Sequence, residues 1–159
     1  MENAADRRVA VIDGPNLNLL GNREVRVYGA QTYAQMKAEL QERAKSLGLE
    51  LSHAQSNHEG EIIACIQALP AEGVAWLVIN PGAYTHTSIA IRDALLAAQT
   101  PAIEVHLSNP YAREPFRHVS TISDIVKGRI MGLGVWGYIL ALEYIAGKIQ
   151  NKKKKEDMP

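Results

Sequence analysis

Two short stretches of the sequence carry side chains whose types and spacing suit acid–base chemistry. Arg23 and Tyr28 share a long polar connection, and Glu104 precedes His106 by two residues in an apolar segment. A free tyrosine has a pKa of about 10, so it is almost wholly protonated at neutral pH. A guanidinium held against the phenolic oxygen favours the phenolate, which would let Tyr28 act as a general base. The alternative is that Tyr28 packs against the fold while Arg23 is solvated.

The second pair predicts an oriented histidine. Residues two apart on a strand project from the same face, so Glu104 can bind one ring nitrogen of His106. The other nitrogen is then left for a substrate, which is a general-acid arrangement. Backbone amides just after this pair, with the Ser108 hydroxyl, could hold a carboxylate. Arg113 or Arg117 could supply positive charge to an anionic substrate.

The connection that holds the arginine–tyrosine pair is unusually long. It runs over residues 13–29, between an apolar strand predicted at Val9–Ile12 and a helix that a capping box at Thr32–Gln35 predicts. Connections between a strand and a helix normally take a few residues. We interpret this one as functional because it follows the first strand, where open α/β sheets bind their ligands.

Strands and helices alternate along the rest of the chain. Further strands are predicted where apolar residues cluster: Leu49–His53, Val74–Ile79, Ala102–His106 and a short fifth at His118–Ile122. A closing helical region is expected to begin at Ser123 or Asp124. This alternation predicts an α/β fold of the flavodoxin-like, doubly wound kind, with a five-stranded parallel sheet and helices on both faces. Asp13, Asn80 and His106 then converge on one crevice, because the first, third and fourth strands are adjacent in that fold.

Composition bounds the class of protein. The chain has 159 residues, with 17 Lys plus Arg and 17 Asp plus Glu, so its zero formal net charge favours neither nucleic acid nor membrane as a partner. We expect one domain over residues 1–159, with flexible tails at 1–8 and 151–159. The single cysteine, Cys65, favours a reducing compartment. Since no signal peptide or membrane-length apolar run is visible, we expect a cytoplasmic protein.

No motif for a bound cofactor is apparent. The chain lacks both the phosphate-binding loop of nucleotide-binding proteins and the glycine fingerprint of dinucleotide-binding ones. His53 and His58 lie near each other, but no Cys or carboxylate completes a set of metal ligands. We therefore expect His53, like His118, to be an ordinary surface or strand-edge residue, and we expect no cofactor.

Four motifs occur in order along nearly the whole chain. They are Gly14-Pro-Asn-Leu-Asn-Leu-Leu-Gly-Asn-Arg-Glu24 with Tyr28-Gly29, Gln55-Ser-Asn-His-Glu-Gly60, Asn80-Pro-Gly-Ala-Tyr-Thr-His-Thr-Ser88, and Ile103-Glu-Val-His-Leu-Ser-Asn109. Together they resemble type II 3-dehydroquinate dehydratase. The resemblance implies a flavodoxin-like fold, no cofactor, and anti elimination of water from 3-dehydroquinate through an enolate, within the shikimate pathway. It also implies trimers assembled into a dodecamer.

The resemblance implies roles for individual residues. Tyr28 resembles the base that removes a proton from C2 of 3-dehydroquinate, and Arg23 resembles the arginine that lowers the pKa of that base. Asn16 resembles the residue that stabilises the enolate through a bound water. His106, oriented by Glu104, resembles the acid that protonates the departing C1 hydroxyl.

Other positions resemble those that bind the substrate. The amides of Leu107 and Ser108, with the Ser108 side chain, resemble the carboxylate site. Positions that resemble hydroxyl-binding residues are Asn80, His86 and Arg117. Asp93 resembles the residue that reaches the site of a neighbouring subunit, which would make trimer formation part of function. His86 is equally interpretable from its position alone as a residue of a helix cap.

Two residues depart from the family pattern. Asp13 stands where asparagine is usual, and Val25 stands where proline usually follows Arg-Glu. A carboxylate at position 13 would either repel an anionic substrate or pair with a nearby group. The loss of proline is expected to leave its loop less restrained.

Three other interpretations compete with this one. A lysine Schiff base is disfavoured because the lysines fall on predicted helices or in the tail. A nucleotide-binding domain is disfavoured by the missing phosphate loop. A non-catalytic flavodoxin-like ligand-binding module would be expected to lack one of the residues Asn16, Arg23, Tyr28 or His106, and all four are present.

Overall fold

A parallel sheet forms the centre of the fold. The computed structural model describes residues 7–22 and 31–156. The strands are β1 (Arg8–Asp13), β2 (Glu50–Gln55), β3 (Trp76–Asn80), β4 (Ala102–His106) and β5 (Gly128–Met131). They lie in the order β2-β1-β3-β4-β5, and every neighbouring pair is parallel. The predicted adjacency of the first, third and fourth strands is therefore confirmed.

Helices cover both faces of the sheet. The described residues include α1 (Tyr33–Ser46), α2 (Glu59–Ala68), α3 (Ile89–Ala98) and α4 (Trp136–Glu156). The apolar sides of α1 and α4 pack on one face, and those of α2 and α3 pack on the other. Among the described helices, none combines the length and the apolarity needed to cross a membrane.

The first strand shows why this sequence forms a central strand. Val9 and Val11 project into the core beneath α1 and α4, while Ala10 and Ile12 project into the core beneath α2 and α3. All four residues are buried, as expected for a parallel strand covered on both faces. Its helix partner begins as predicted, because Thr32 and Gln35 form a reciprocal capping box.

The last strand does not lie where the sequence pattern predicted it. Residues His118–Ile122 form no strand, and β5 is Gly128–Met131, which pairs with β4. The earlier segment bonds elsewhere, since the amide of Thr121 donates to the carbonyl oxygen of Thr85 at 2.8 Å. The predicted helix start at Ser123 or Asp124 is also wrong, because α4 begins only at Trp136.

Candidate active site

The crevice at the carboxyl ends of the middle strands gathers most of the predicted site. Seven of the predicted residues line one cavity there: Asn16, Asn80, His86, His106, Leu107, Ser108 and Arg117. Glu104 lies beneath His106, whereas Asp93 is exposed on α3 and does not line the cavity. The predictions for Arg23, Val25 and Tyr28 lie outside the described residues.

The loop after β1 brings Asn16 to the cavity wall. The amide of Gly14 donates to the carbonyl oxygen of Asn80 at 2.7 Å, which ties this loop to the end of β3. Only glycine fits there, because a Cβ at position 14 would lie 2.2 Å from the carbonyl oxygen of Pro81. Asn16 has a left-handed backbone with φ of 69°, which asparagine tolerates better than most residues. The backbone amide of Asn16 donates to Asn57 Oδ1 at 2.9 Å.

The predicted Glu104–His106 pair is present. Nε2 of His106 lies 2.7 Å from Oε1 of Glu104, and Glu104 is fully buried. The same carboxylate accepts hydrogen bonds from the hydroxyls of Thr85, at 2.5 Å, and Ser120. Nε of Arg129 lies 2.6 Å from its other oxygen, Oε2. The strand register explains this last contact, since Arg129 is directly opposite Glu104 in the β4–β5 pair.

These contacts keep the Glu104 carboxylate ionised. Burial by itself raises the pKa of Glu104, but the hydrogen bond and charge of His106, the Thr85 hydroxyl and the Arg129 charge outweigh burial. The pKa of Glu104 therefore lies below its usual value. An ionised carboxylate only accepts hydrogen bonds, so the Nε2 proton of His106 points at Glu104. The ring nitrogen that remains for the cavity is Nδ1.

His86 is held in one tautomer by the backbone. Its Nδ1 lies 2.7 Å from the carbonyl oxygen of Val119, which can only accept, so Nδ1 carries a proton. In the neutral ring, Nε2 is then a hydrogen-bond acceptor. Since His86 lines the cavity, this nitrogen suits a hydroxyl donor on a ligand.

Two arginines also line the cavity. Arg113 and Arg117 both line the cavity, and Nε of Arg117 donates to Oε2 of Glu114 at 2.7 Å. A backbone hydrogen bond, then Arg117 and Arg113, lower the pKa of Glu114. Both guanidinium groups lie within ion-pair distance of Glu114, and guanidinium groups of this kind suit an anionic ligand.

Asp13 pairs with nearby groups rather than facing the cavity. It is fully buried, and its oxygens contact His53, Tyr33 and Tyr138. His53 lies on the edge strand β2, which agrees with the predicted strand-edge position, but it is not a surface residue, since its side chain is only 6% exposed and Nε2 lies 2.7 Å from Asp13. Sequence reasoning missed Tyr138, which lies 125 residues from Asp13 along the chain. The sequence signal that could have prompted a search for such a partner is an aspartate directly after an apolar strand, because a buried carboxylate needs donors.

A doubly wound parallel sheet with a polar crevice at the ends of its middle strands places the protein in the flavodoxin-like class of α/β folds. The family model for class II dehydroquinases matches residues 7–146, so the chain belongs to that family. This confirms the resemblance drawn from the four motifs.

Named relatives agree with this assignment. The chain is 55% identical over 144 residues to 3-dehydroquinate dehydratase 1 of Ralstonia nicotianae, covering 91% of this chain and 92% of that protein. It is 51% identical over 149 residues to the catabolic 3-dehydroquinase of Aspergillus oryzae, covering 94% and 97%. The crystal structure of type II dehydroquinase from Butyrivibrio crossotus superposes with a TM-score of 0.85 at 47% identity, covering 87% and 96%.

Proposed function

We propose that this protein is a 3-dehydroquinate dehydratase, a hydro-lyase of the shikimate pathway that removes water from 3-dehydroquinate to give 3-dehydroshikimate. The observation that carries the proposal is a histidine, His106, which is oriented by the buried Glu104 carboxylate at the wall of a cavity that two arginines also line. Membership of the class II dehydroquinase family supports 3-dehydroquinate as the substrate, and we propose that the elimination is anti, as the resemblance implies.

The first step is proton abstraction. Tyr28 is the proposed base, with its pKa lowered by Arg23, and it takes the proton from C2 of the substrate. The electron pair of the broken C–H bond moves into the neighbouring carbonyl group and forms an enolate. Asn16, on the cavity wall, stabilises the enolate oxygen through a bound water.

The second step is loss of the C1 hydroxyl. As the enolate collapses, the C1–C2 double bond forms and the C1–O bond breaks. His106 delivers a proton from Nδ1 to the departing oxygen, so that water leaves. Before transfer, the ring is an imidazolium whose Nε2–H donates to Glu104, and the carboxylate stabilises its charge.

The remaining cavity residues hold the substrate in place. Its carboxylate binds to the amides of Leu107 and Ser108 and to the Ser108 hydroxyl. Its hydroxyls bind the residues that line the rest of the wall: Asn80, His86 and Arg117. The acceptor nitrogen of His86 and the positive charge of the arginines support this assignment.

We further propose that the protein is cytoplasmic and assembles into trimers and a dodecamer, with Asp93 reaching the site of a neighbouring subunit. Large apolar side chains at the surface support self-association, since Phe116, Trp136 and Ile89 are each more than half exposed. Analytical ultracentrifugation should give masses of three and twelve times 17.4 kDa. A mass of one chain at micromolar concentration would contradict the assembly.

The activity itself can be tested by ultraviolet absorbance. Purified protein, either untreated or first incubated with borohydride together with 3-dehydroquinate and then freed of both, is mixed with fresh 3-dehydroquinate, and the absorbance of the conjugated enone product is followed. We expect absorbance to rise in both samples. Loss of activity after borohydride would indicate an imine mechanism. No rise from folded protein would favour the non-catalytic ligand-binding module.

The base is tested by Tyr28→Phe. This variant should abolish turnover with little change in ligand affinity, because the ring remains and only the acidic oxygen is removed. Tyr144→Phe is a matched control, since Tyr144 lies on α4 and packs against Trp76. Retained turnover in Tyr28→Phe would remove Tyr28 from the base role.

A further inference from the structure

We propose that Asp13 is a positioning residue that acts through Tyr138 to present Asn80 to the substrate as a hydrogen-bond donor. The inference rests on the proposed function only in taking the acceptor to be an oxygen of the cyclic substrate. Three side chains form the connection, from the end of β1 through α4 to the end of β3. Which group donates and which accepts in each of these hydrogen bonds follows from which atoms carry a hydrogen.

Asp13 Oδ1 is an acceptor in either protonation state of the pair that Asp13 forms with His53. Nε2 of His53 lies 2.7 Å from Oδ2, and the Tyr33 hydroxyl donates to the same oxygen at 3.1 Å. A proton shared between His53 and Oδ2 leaves Oδ1 without a hydrogen, whichever partner holds it. The Tyr138 hydroxyl, 2.5 Å from Oδ1, must therefore donate to it.

Because Tyr138 donates to Asp13, its oxygen accepts a hydrogen bond from Asn80. Its side chain is fully buried, and burial, followed by the charge and hydrogen bond of Asp13, raises the pKa of Tyr138 well above its usual value. The phenol therefore stays protonated, with one hydrogen, which it gives to Asp13. Its oxygen can then only accept, and it accepts from Nδ2 of Asn80 at 2.9 Å.

Asn80 is thereby fixed in one amide orientation. Its Oδ1 accepts from the backbone amide of Gly82 at 3.1 Å, while one Nδ2 hydrogen is donated to the Tyr138 oxygen. A flipped amide would place Nδ2 against the Gly82 N–H and Oδ1 against a hydroxyl with no hydrogen to give. The second Nδ2 hydrogen remains for the cavity that Asn80 lines. The cavity thus presents a donor at this point, matched to an acceptor oxygen.

An asparagine in place of Asp13 removes this constraint. Its side chain carries a donor as well as an acceptor, so its NH2 group can face the Tyr138 oxygen. The phenolic hydrogen is then free to rotate and point at Asn80. Asn80 then has two competing orientations, one of which offers the substrate oxygen no donor. Asp13 therefore fixes the hydrogen-bond donor that the substrate meets at Asn80 without contacting the substrate.

Steady-state kinetics on Asp13→Asn test the inference. We expect the KM for 3-dehydroquinate to rise about threefold to tenfold, the equivalent of one neutral hydrogen bond, with kcat nearly unchanged. Tyr33→Phe is the matched control, because it removes a hydroxyl from the same carboxylate on the side remote from Asn80, and its KM should equal that of the wild type. An unchanged KM in Asp13→Asn, or an equal rise in both variants, would overturn the inference.

Tyr138→Phe provides a second route if Asp13→Asn does not fold. It should raise KM to a similar extent, and an unchanged KM in Tyr138→Phe would overturn the inference. Where Asp13→Asn does fold, adding it to Tyr138→Phe should have no further effect on KM, because the connection is already broken. Additive effects of the two substitutions would show that they act separately and would contradict the inference.

Neutron diffraction on the substrate-free protein gives a readout that does not depend on the reaction. The Tyr138 hydroxyl hydrogen should lie on the line to Asp13 Oδ1, with both Nδ2 hydrogens of Asn80 visible. A hydroxyl hydrogen directed at Asn80 would overturn the inference. Failure of the wild type to convert 3-dehydroquinate would instead refute the proposed function, and the neutron map would still decide the role of Asp13.

Discussion

Two buried carboxylates, one in the middle of β4 and one at the end of β1, have similar surroundings and different access to the cavity. Glu104 and Asp13 are both fully buried, and each binds a histidine Nε2 at 2.7 Å together with two hydroxyl groups. The histidine partner of Glu104 lines the cavity, whereas His53, the partner of Asp13, does not. Glu104 also pairs with Arg129, while within residues 7–22 and 31–156 the ion-pair partner of Asp13 is His53.

The comparison shows that a carboxylate–histidine pair is not by itself a catalytic unit. The Glu104 pair ends on a ring nitrogen that a substrate can reach, so it can move a proton. The Asp13 pair ends on a phenol and an amide, so it can only set the direction of hydrogen bonds. Position relative to the crevice, rather than the chemical composition of the pair, separates the two roles.

The largest expected difference in kcat comes from replacing each of the two histidines in a separate variant. His106→Asn should lower kcat by about 10²–10⁴-fold, because it removes the proposed acid for the leaving oxygen. His53→Asn should leave kcat nearly unchanged and lower the thermal midpoint, because it removes a partner of a buried carboxylate. Single-turnover kinetics and thermal unfolding on both variants make the comparison. Equal losses of kcat would mean that both pairs take part in catalysis.

Glu104→Gln should have the next largest effect. The amide is nearly the same size but carries no charge, so His106 loses the partner that orients it and stabilises its imidazolium form. We expect a fall of about 10–100-fold in kcat, as for other residues that orient a functional histidine. In contrast, Asp13→Asn should change KM. Measuring kcat and KM for both variants separates the roles, and a KM effect alone in Glu104→Gln would contradict the orienting role.

The stability of the protein should depend on pH through Glu104. The folded-state pKa of Glu104 lies below its unfolded-state value of about 4.3. The stabilisation by its ionised form is therefore complete above that pH and is lost as the pH falls through the folded-state pKa. Urea unfolding of the wild type and Glu104→Gln from pH 6 to pH 3 should show their difference shrinking with acidity. A constant difference would contradict this linkage.

Arg129→Gln should have the smallest effect. The charge of Arg129 is the weakest of the contributions that lower the pKa of Glu104, so its loss should raise that pKa slightly. The acid loss of stability should then begin at a higher pH than in the wild type. The same urea titration measures it, with Arg129→Lys as the variant that keeps the charge. Identical curves for Arg129→Gln and the wild type would show that His106 and Thr85 suffice.

Local patterns predicted the parts of the site that lie close together in the sequence. The spacing of Glu104 and His106 was enough to place both on one face, because strand geometry alternates at every residue. Convergence of Asn80 and His106 followed from strand order. The end of β1 lies beside them as predicted, since Asp13 is opposite Asn80 in the β1–β3 pair, but Asp13 does not line the cavity. Whether Asp13 would repel a ligand or find a partner needed the structure.

The contacts that were missed depend on register and on long loops. Arg129 reaches Glu104 only because β5 pairs with β4 in one register, and the more β-branched segment at 118–122 was the stronger strand candidate by composition. Tyr138 reaches Asp13 from the first turns of α4, whose start was predicted too early. No local sequence pattern predicts either the Arg129–Glu104 contact or the Tyr138–Asp13 contact.

The left-handed backbone of Asn16 has a consequence for anyone surveying substitutions at this site. Glycine relieves that conformation and removes the carboxamide, whereas alanine removes the carboxamide and adds backbone strain. If Asn16 has its proposed role, a saturation library at position 16 would therefore sort into two populations, one that loses activity alone and one that loses stability as well. The tolerance profile of this position records a conformational requirement and a chemical one that overlap in asparagine.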